Sequence, residues 1–237
     1  LTNGARVCWA TKGFELHTGK LPHVVAAEVL GAERPVAVLS GPTFAKEVGV
    51  GLPTALTIAA NDAAFAQELA ISLSGDNFRA YTSDDMVGVE VGGAVKNVLA
   101  IGAGMSDGLG FGANTRVALI TRGLVEMTRL GVALGAKRET FMGLAGMGDL
   151  MLTCTDNLSR NRRMGLALAA GKSVEEAQEE IQQVVEGVLA AEAVREVAQK
   201  LGIEMPICHQ VYRILYEGAS AREAVGALMR RDLKSEH

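Results

Sequence analysis

Cysteine, proline and aromatic residues are scarce in this chain of 237 residues: three Cys, five Pro, and 4% Phe, Trp and Tyr together. Cys8, Cys154 and Cys208 lie far apart, with no Cys-x-x-Cys and no Cys/His ligand spacing. No zinc site, other metal site or disulfide framework is therefore expected, and reduced thiols in a cytoplasmic protein are the simplest reading. A charge excess of one sign is missing too. With 23 Lys and Arg against 27 Asp and Glu, the chain has no broad electrostatic footprint for nucleic acid or an anionic membrane. No uninterrupted apolar run reaches the ~18 residues of a membrane span. The longest candidate, Met86 to Met105, carries Glu90, Lys96 and five glycines. Leu1-Thr2-Asn3-Gly4 lacks the basic start and apolar stretch of a signal peptide. What is abundant is apolar residues, at 49%, and glycine, at 28. The expectation is a compact, mostly helical protein whose helices approach closely through small side chains.

The first third alternates strand and helix patterns. Arg6–Ala10, Val36–Leu39, Thr54–Ala59 and Phe78–Thr82 read as short strands, with helices over Pro22–Leu30 and from the cap Asp62 to Leu73. Such alternation predicts a mainly parallel sheet. Beyond Ser83 nearly everything reads as helix, over about 85–104, 115–134, 139–152, 158–170, 187–201, 206–217 and 220–231 by apolar periodicity. Ser173-x-x-Glu176 and Ser220-x-x-Glu223 are capping-box patterns, and Pro206 suits a first helical turn. Gly131, Gly135, Gly171, Gly202 and Gly218 punctuate the ends. The boundary between the two halves falls near Thr82–Asp84. No N-terminal strand is followed by Gly-x-Gly-x-x-Gly; the glycine-rich stretch Gly102–Gly112 follows a helical run instead.

Three clusters carry chemistry. Lys96 sits in Val91–Ile101, apolar nearly all round, with Gly92, Gly93, Ala100 and Ala103 as its helical neighbours. Those small residues leave space for a substrate or another backbone, and burial brings a lysine toward the neutrality that proton transfer needs. A lysine that snorkels to the surface or pairs with a carboxylate is the alternative. Asp156-Asn-Leu-Ser-Arg-Asn-Arg-Arg163 precedes a helical pattern. Asp156 or Asn157 can cap that helix, placing Ser159, Arg160 and Asn161 in its first turn. Arginines there oppose the helix dipole and call for an anion, a phosphate or else acidic neighbours on a solvated patch. Gly143-Leu-Ala-Gly-Met-Gly-Asp149 presents a carboxylate beside a closely approaching backbone; Asp149 can hold a lysine, accept from a hydroxyl or cap a helix. Thr11-Lys12-Gly13 and Ser40-Gly41-Pro42-Thr43 follow strands, at the sheet edge where α/β proteins bind ligands or merely turn. No role is assigned to the histidines, His237 included.

Taken in order, Trp9-Ala-Thr-Lys-Gly13, Ser40-Gly-Pro-Thr-Phe-Ala-Lys-Glu47, Gly92-Gly-Ala-Val-Lys-Asn97, Gly102-Ala-Gly-Met-Ser-Asp-Gly108, Gly146-Met-Gly-Asp149, Leu152-Thr-Cys-Thr155, Ser159-Arg-Asn161 and Val184-Val-Glu-Gly187 closely resemble the bacterial NAD(P)-dependent glycerol-3-phosphate dehydrogenases. The resemblance runs from Arg6 to about Met229. It implies an α/β Rossmann-type remnant over residues 1–82, the C-terminal part of a dinucleotide-binding domain. An all-α substrate-binding and catalytic domain follows over 83–237. By similarity, Lys96 is the proton donor and acceptor at the substrate C2 oxygen, and Asp149 is its partner. Lys12, Gly41, Thr43, Ser159, Arg160 and Asn161 match substrate contacts. Lys12, Ala45, Arg160, Val184 and Glu186 match contacts to NAD or NADP. The implied reaction interconverts sn-glycerol 3-phosphate and dihydroxyacetone phosphate, for phospholipid synthesis, with a homodimer left open.

The family's opening glycine-rich turn does not occur in this sequence, and Leu1 corresponds to a position already well inside the nucleotide-binding domain. The expectation is a fragment without dehydrogenase activity of its own. Two other readings stand beside it: a sister β-hydroxyacid dehydrogenase with a different clamp around Ser159–Asn161, and a non-enzymatic helical interaction module.

Overall fold

The computed structural model describes residues 4–232; the expectations placed on Leu1–Asn3 and on His237 lie outside the described residues. Strand and helix alternate first: β1 (Val7–Trp9), α1 (Pro22–Leu30), β2 (Val36–Ser40), α2 (Ala45–Gly49), β3 (Thr54–Ala60), α3 (Ala63–Leu73) and β4 (Phe78–Ser83). The strands form one sheet in the order β1-β2-β3-β4. β1 and β2 are parallel, as are β3 and β4, with α1 and α3 as the crossovers. β2 and β3, however, are antiparallel. The sheet is therefore mainly parallel, as expected, with one antiparallel pairing that makes it mixed. The link between β2 and β3 holds only the five-residue α2, which cannot carry the chain across a sheet face, so the chain turns back.

Alternation along the strands covers both faces of the sheet. Ala37, Leu56, Ile58 and Ala60 pack on Phe65, Ala66 and Ala70 of α3. Val36, Val38 and Ala59 face the other way, onto Met86 and Val89 at the start of α4 (Met86–Gly108). From there α4 runs on as the axis of the helical half. Long and apolar enough to cross a membrane, it is instead buried along nearly its whole length. Around it lie α5 (Ala113–Ala133), α6 (Asp149–Thr155), α7 (Arg160–Ala169), α9 (Glu186–Leu201) and α10 (Pro206–Tyr216). α8 (Val174–Ile181) packs on α7, and α11 (Ala221–Met229) on α10.

Most sequence signals mark real helix ends. Asp62 accepts from Phe65 N at 2.6 Å to cap α3, both capping boxes form, and Pro206 opens α10. Gly131 is different: it lies inside α5, where the Phe141 ring fills the place of a side chain. The helix expected over 139–152 is also divided. It consists of a 3-10 turn (Arg138–Met142), a single π turn (Leu144–Gly148) and then α6. Gly146 in that segment presses against Phe141 backbone, and Ala145 O comes so near α4 that a Cβ at Gly92 would meet it at 2.5 Å. Side chains would block both approaches.

The N-terminus of α10 has an unusual acceptor. Glu126, buried on α5, accepts from Ile207 N at 2.7 Å and Cys208 N at 3.1 Å. Burial pushes its carboxyl up to about 7, against the lowering effect of those two backbone bonds. A folded-state pKa above the unfolded 4.5 means proton uptake on folding, so this contribution is full below 4.5 and lost as pH rises through 7. The stability difference between wild type and Glu126→Gln should accordingly shrink from pH 5 to pH 8 in urea titrations. A constant difference would show that Glu126 does not titrate in that window.

Candidate active site

The site forms where α4 leaves the sheet. Lys96 Nζ lies 2.7 Å from Asp149 Oδ1 and 2.9 Å from Thr153 Oγ1. The other carboxylate oxygen, Asp149 Oδ2, accepts from Lys12 Nζ at 2.6 Å. One carboxylate thus bridges two ammonium groups, and all three side chains are buried or nearly so. Asp149 is the first residue of α6, not its cap, so of the readings open in the sequence it takes the lysine partner. The space expected beside Lys96 is filled by protein. Ala145 backbone occupies it at Gly92, and the Lys12 stem occupies it at Gly93, where a Cβ would stand 3.1 Å from Lys12 Cγ.

Electrostatics follow from that packing. Burial and then the Lys12 charge lower the Lys96 pKa from 10.5 to about 8, while Asp149 opposes the fall. Cys154, buried one residue after Thr153, is pushed up to about 12 by burial and stays a thiol. An ammonium with a pKa near neutrality, fixed by a carboxylate and a hydroxyl, is suited to giving and taking a proton.

A second group lies one residue further along α4. Asn97 Oδ1 accepts from Asn161 Nδ2 at 2.9 Å, and Asn97 Nδ2 donates to Glu186 Oε2 at 3.1 Å. Asn161 Oδ1 in turn accepts from Gly187 N at 2.8 Å. Arg160 and Glu186, each more than a third exposed, pair loosely at 3.8 Å. Ser159 is itself the cap of α7, accepting from Arg162 N. Asp156 and Asn157 therefore do not cap this helix, because Ser159 is the residue whose extended backbone brings its hydroxyl back to the first turn. The arginines are answered unequally. Arg162 is buried and bonded to Asp107 at 2.6 Å, so its counter-ion is a carboxylate of the protein. Among the described residues Arg160 has only the distant Glu186, and the Arg160 and Asn161 backbone N–H groups at the helix start meet no acceptor there.

The structure joins Lys12 and Lys96 through Asp149, and joins Asn161 and Glu186 through Asn97, with Ser159 and Arg160 next to Asn161 at the start of α7. Gly41 and Thr43 join through their loop. Thr43 Oγ1 donates to Gly41 O, and Pro42 stands 3.8 Å from where a Gly148 Cβ would be. Gly41 itself lies so close to Leu56 that a side chain would collide with its backbone. Ser40 Oγ, beside Gly93, is buried without a partner among the described residues. Ala45, the first residue of α2, and Val184, in the loop before α9, are both exposed. Residue-level reading passed over Thr153 and Asn97. Position alone could have found them, since Thr153 is one turn after Asp149 and Asn97 follows Lys96.

Comparison with known proteins gives consistent results. The family described as NAD-dependent glycerol-3-phosphate dehydrogenase matches by its N-terminal part over residues 1–66 and by its C-terminal part over residues 85–226. A glycerol-3-phosphate dehydrogenase (NAD(P)+) of Photobacterium profundum is 59% identical over 237 residues, spanning 100% of this chain and 70% of that protein. One from Aeromonas hydrophila is 60% identical over 232 residues, 98% of this chain and 70% of that protein. Among solved structures, the glycerol-3-phosphate dehydrogenase of Coxiella burnetii superposes with a TM-score of 0.93 at 52% identity, covering 96% of this chain and 69% of that one. A counterpart from Dunaliella salina gives 0.87 at 25% identity, covering 95% and 40%.

Proposed function

Since the chain belongs to the NAD-dependent glycerol-3-phosphate dehydrogenase family, we propose how its residues divide the interconversion of sn-glycerol 3-phosphate and dihydroxyacetone phosphate. Bound NAD(P)H supplies the hydride that C2 of the ketone receives. Lys96 gives the proton to the C2 oxygen and, in the reverse direction, takes it back. Lys12 adds a second positive charge next to the developing oxyanion, worth more in a buried site than in water. Asp149 and Thr153 hold the Lys96 ammonium in one orientation. The single observation that carries this reading is the buried Lys12–Asp149–Lys96 bridge.

The substrate phosphate belongs at the start of α7. There the open Arg160 and Asn161 N–H groups, the helix dipole and the Arg160 guanidinium converge. Arg160→Lys keeps the charge but loses the planar fork, so KM for dihydroxyacetone phosphate should rise about tenfold. Turnover of unphosphorylated dihydroxyacetone should barely change. Equal losses for both would move Arg160 from the phosphate to the fold or the cofactor. NAD(P) is assigned contacts with Lys12, Ala45, Arg160, Val184 and Glu186, of which Ala45 and Val184 are exposed and Arg160 and Glu186 each more than a third exposed.

Opposed pH dependences test the proton role. Reduction needs the Lys96 ammonium, so its kcat/KM should fall above about 8; oxidation needs the amine, so its kcat/KM should climb toward a plateau there. Limbs of the same sign in both directions would rule the assignment out. The assay uses protein made from its complete reading frame.

Residues 1–82 are taken as the nucleotide-binding part and 83–237 as the substrate part. The change from β4 to α4 between Ser83 and Met86 supports that division. The product is proposed to feed phospholipid synthesis in the cytoplasm, in keeping with two buried free thiols. A homodimer, open to size measurement in solution, completes the proposal.

A further inference from the structure

Glu90 lies on α4 two helical steps before Lys96, and Glu90, Gly93 and Lys96, three apart each time, share one stripe of the helix. Its side chain is only 1% exposed, yet among the described residues it meets no lysine or arginine. It accepts instead from Trp9 Nε1 at 3.2 Å, from His23 N at 3.0 Å, and contacts His23 Nδ1 at 2.5 Å. Trp9 ends β1 and His23 stands in the first turn of α1, which has no side-chain cap of its own. Glu90 thus ties both ends of the segment 10–21, and that segment carries Lys12. Midway between Glu90 and Lys96, the Lys12 stem lies on Gly93 before its Nζ reaches Asp149. Phe14 and Leu21 anchor the same segment in the helical core.

We propose that Glu90 is a positioning residue for the reaction: by fixing Trp9 and His23 it holds Lys12 over Gly93 and against Asp149, beside Lys96. The proposal rests on Lys96 being the acid and base. Its consequence is electrostatic as well as steric. Lys12 is one of the causes that lower the Lys96 pKa. Among the described residues, the charged and titratable groups around Lys96 are Lys12, Asp149 and Cys154, and the one that faces Glu90 is His23. A loosened Lys12 therefore leaves Lys96 more basic. Glu90 needs no contact with substrate to have this effect.

Glu90→Gln keeps the shape but removes the charge and one of the two acceptor oxygens: the amide oxygen can still serve Trp9 Nε1 and His23 N, while an amide N–H replaces the oxygen that meets His23 Nδ1. In the protein made from its complete reading frame, kcat/KM for reduction at pH 7 should fall about 10- to 100-fold. The alkaline limb near 8 should move to higher pH, and hydrogen exchange should quicken in 10–21 while α4 and α7 keep their protection. Trp9→Phe, which removes one donor and is the milder change, should move the limb the same way by less. In a Lys12→Met background, Glu90→Gln should add no further shift. A limb that stays in place while kcat/KM falls evenly at every pH would reduce Glu90 to a structural role. Unchanged exchange in 10–21, or a shift that persists without Lys12, would show that Glu90 does not act by holding Lys12, and would overturn the proposal. A wild-type profile with no limb near 8 would instead refute the role of Lys96, and this proposal with it, while exchange in 10–21 still reports whether Glu90 holds the segment.

Discussion

Lys96→Met is expected to lower kcat by about 10²–10⁴ with a much smaller change in KM, the size of a lost general acid and base. In free energy that is about 3–5 kcal/mol of transition-state stabilisation. Methionine keeps the length and apolar stem of the lysine, so the packing of α4 against Ala145 and the Lys12 stem is disturbed little. Asp149 keeps its bond to Lys12, and Thr153 keeps its bond to the backbone carbonyl of Asp149. No buried charge is therefore left alone, and thermal unfolding should show a folded variant. Asp149→Asn separates the effects differently. It leaves two ammonium groups facing each other without their bridge, so kcat falls and the reduction limb moves below 8, because Asp149 is what holds the Lys96 pKa up. Activity of Lys96→Met within a few-fold of wild type would remove Lys96 from the mechanism.

Lys96 and Asp149 were legible in the sequence because each breaks a local rule. One is a lysine in an apolar stretch, and the other is an acid after three glycines in six positions. Arg160 breaks one too, as an arginine at a helix start; Lys12 was marked only by its place after a strand, and Glu186 was reached only through the resemblance to a family. What stayed hidden is the set of pairings across distant segments. Lys96 and Thr153 are 57 residues apart, and Asn97 and Glu186 are 89 apart. Periodicity says which face of a helix is buried but not which helix covers it, so the Asn97–Asn161–Glu186 group could not be read in advance. The antiparallel pairing of β2 with β3 was hidden for a related reason. Both strands are apolar runs buried on two faces, and neither pattern records direction. The division of 139–152 was masked because its apolar spacing suits a helix, whereas Gly146 is needed to let the backbone past Phe141.

Gly165→Val should destabilise the protein by about 3–5 kcal/mol, a value at the far end of single substitutions. The composition already pointed to close helix contact through small residues, and α4 against α7 is where it happens. A Cβ at Gly165 would overlap Ile101 O and stand 2.7 Å from Met105 N; one at Gly104 would overlap Arg162 O. The two backbones touch, so neither helix can yield without the other moving. Replacing a helical glycine by alanine ordinarily gains up to about 1 kcal/mol in propensity, and that gain is outweighed when the new atom meets main chain instead of a flexible side chain. Valine adds two further methyl groups at the same point. The consequence reaches the site. α7 carries Ser159, Arg160 and Asn161, α4 carries Lys96 and Asn97, and the 2.9 Å bond from Asn161 to Asn97 crosses the same interface. Parting the helices should break that bond and carry the phosphate-binding turn away from the lysine, so activity lost at 25 °C should exceed what the unfolded fraction explains. Urea denaturation measures the first effect and steady-state kinetics on the folded fraction measures the second. A loss under 1 kcal/mol would mean that α4 and α7 separate easily, and that their contact does not set the spacing between acid and clamp.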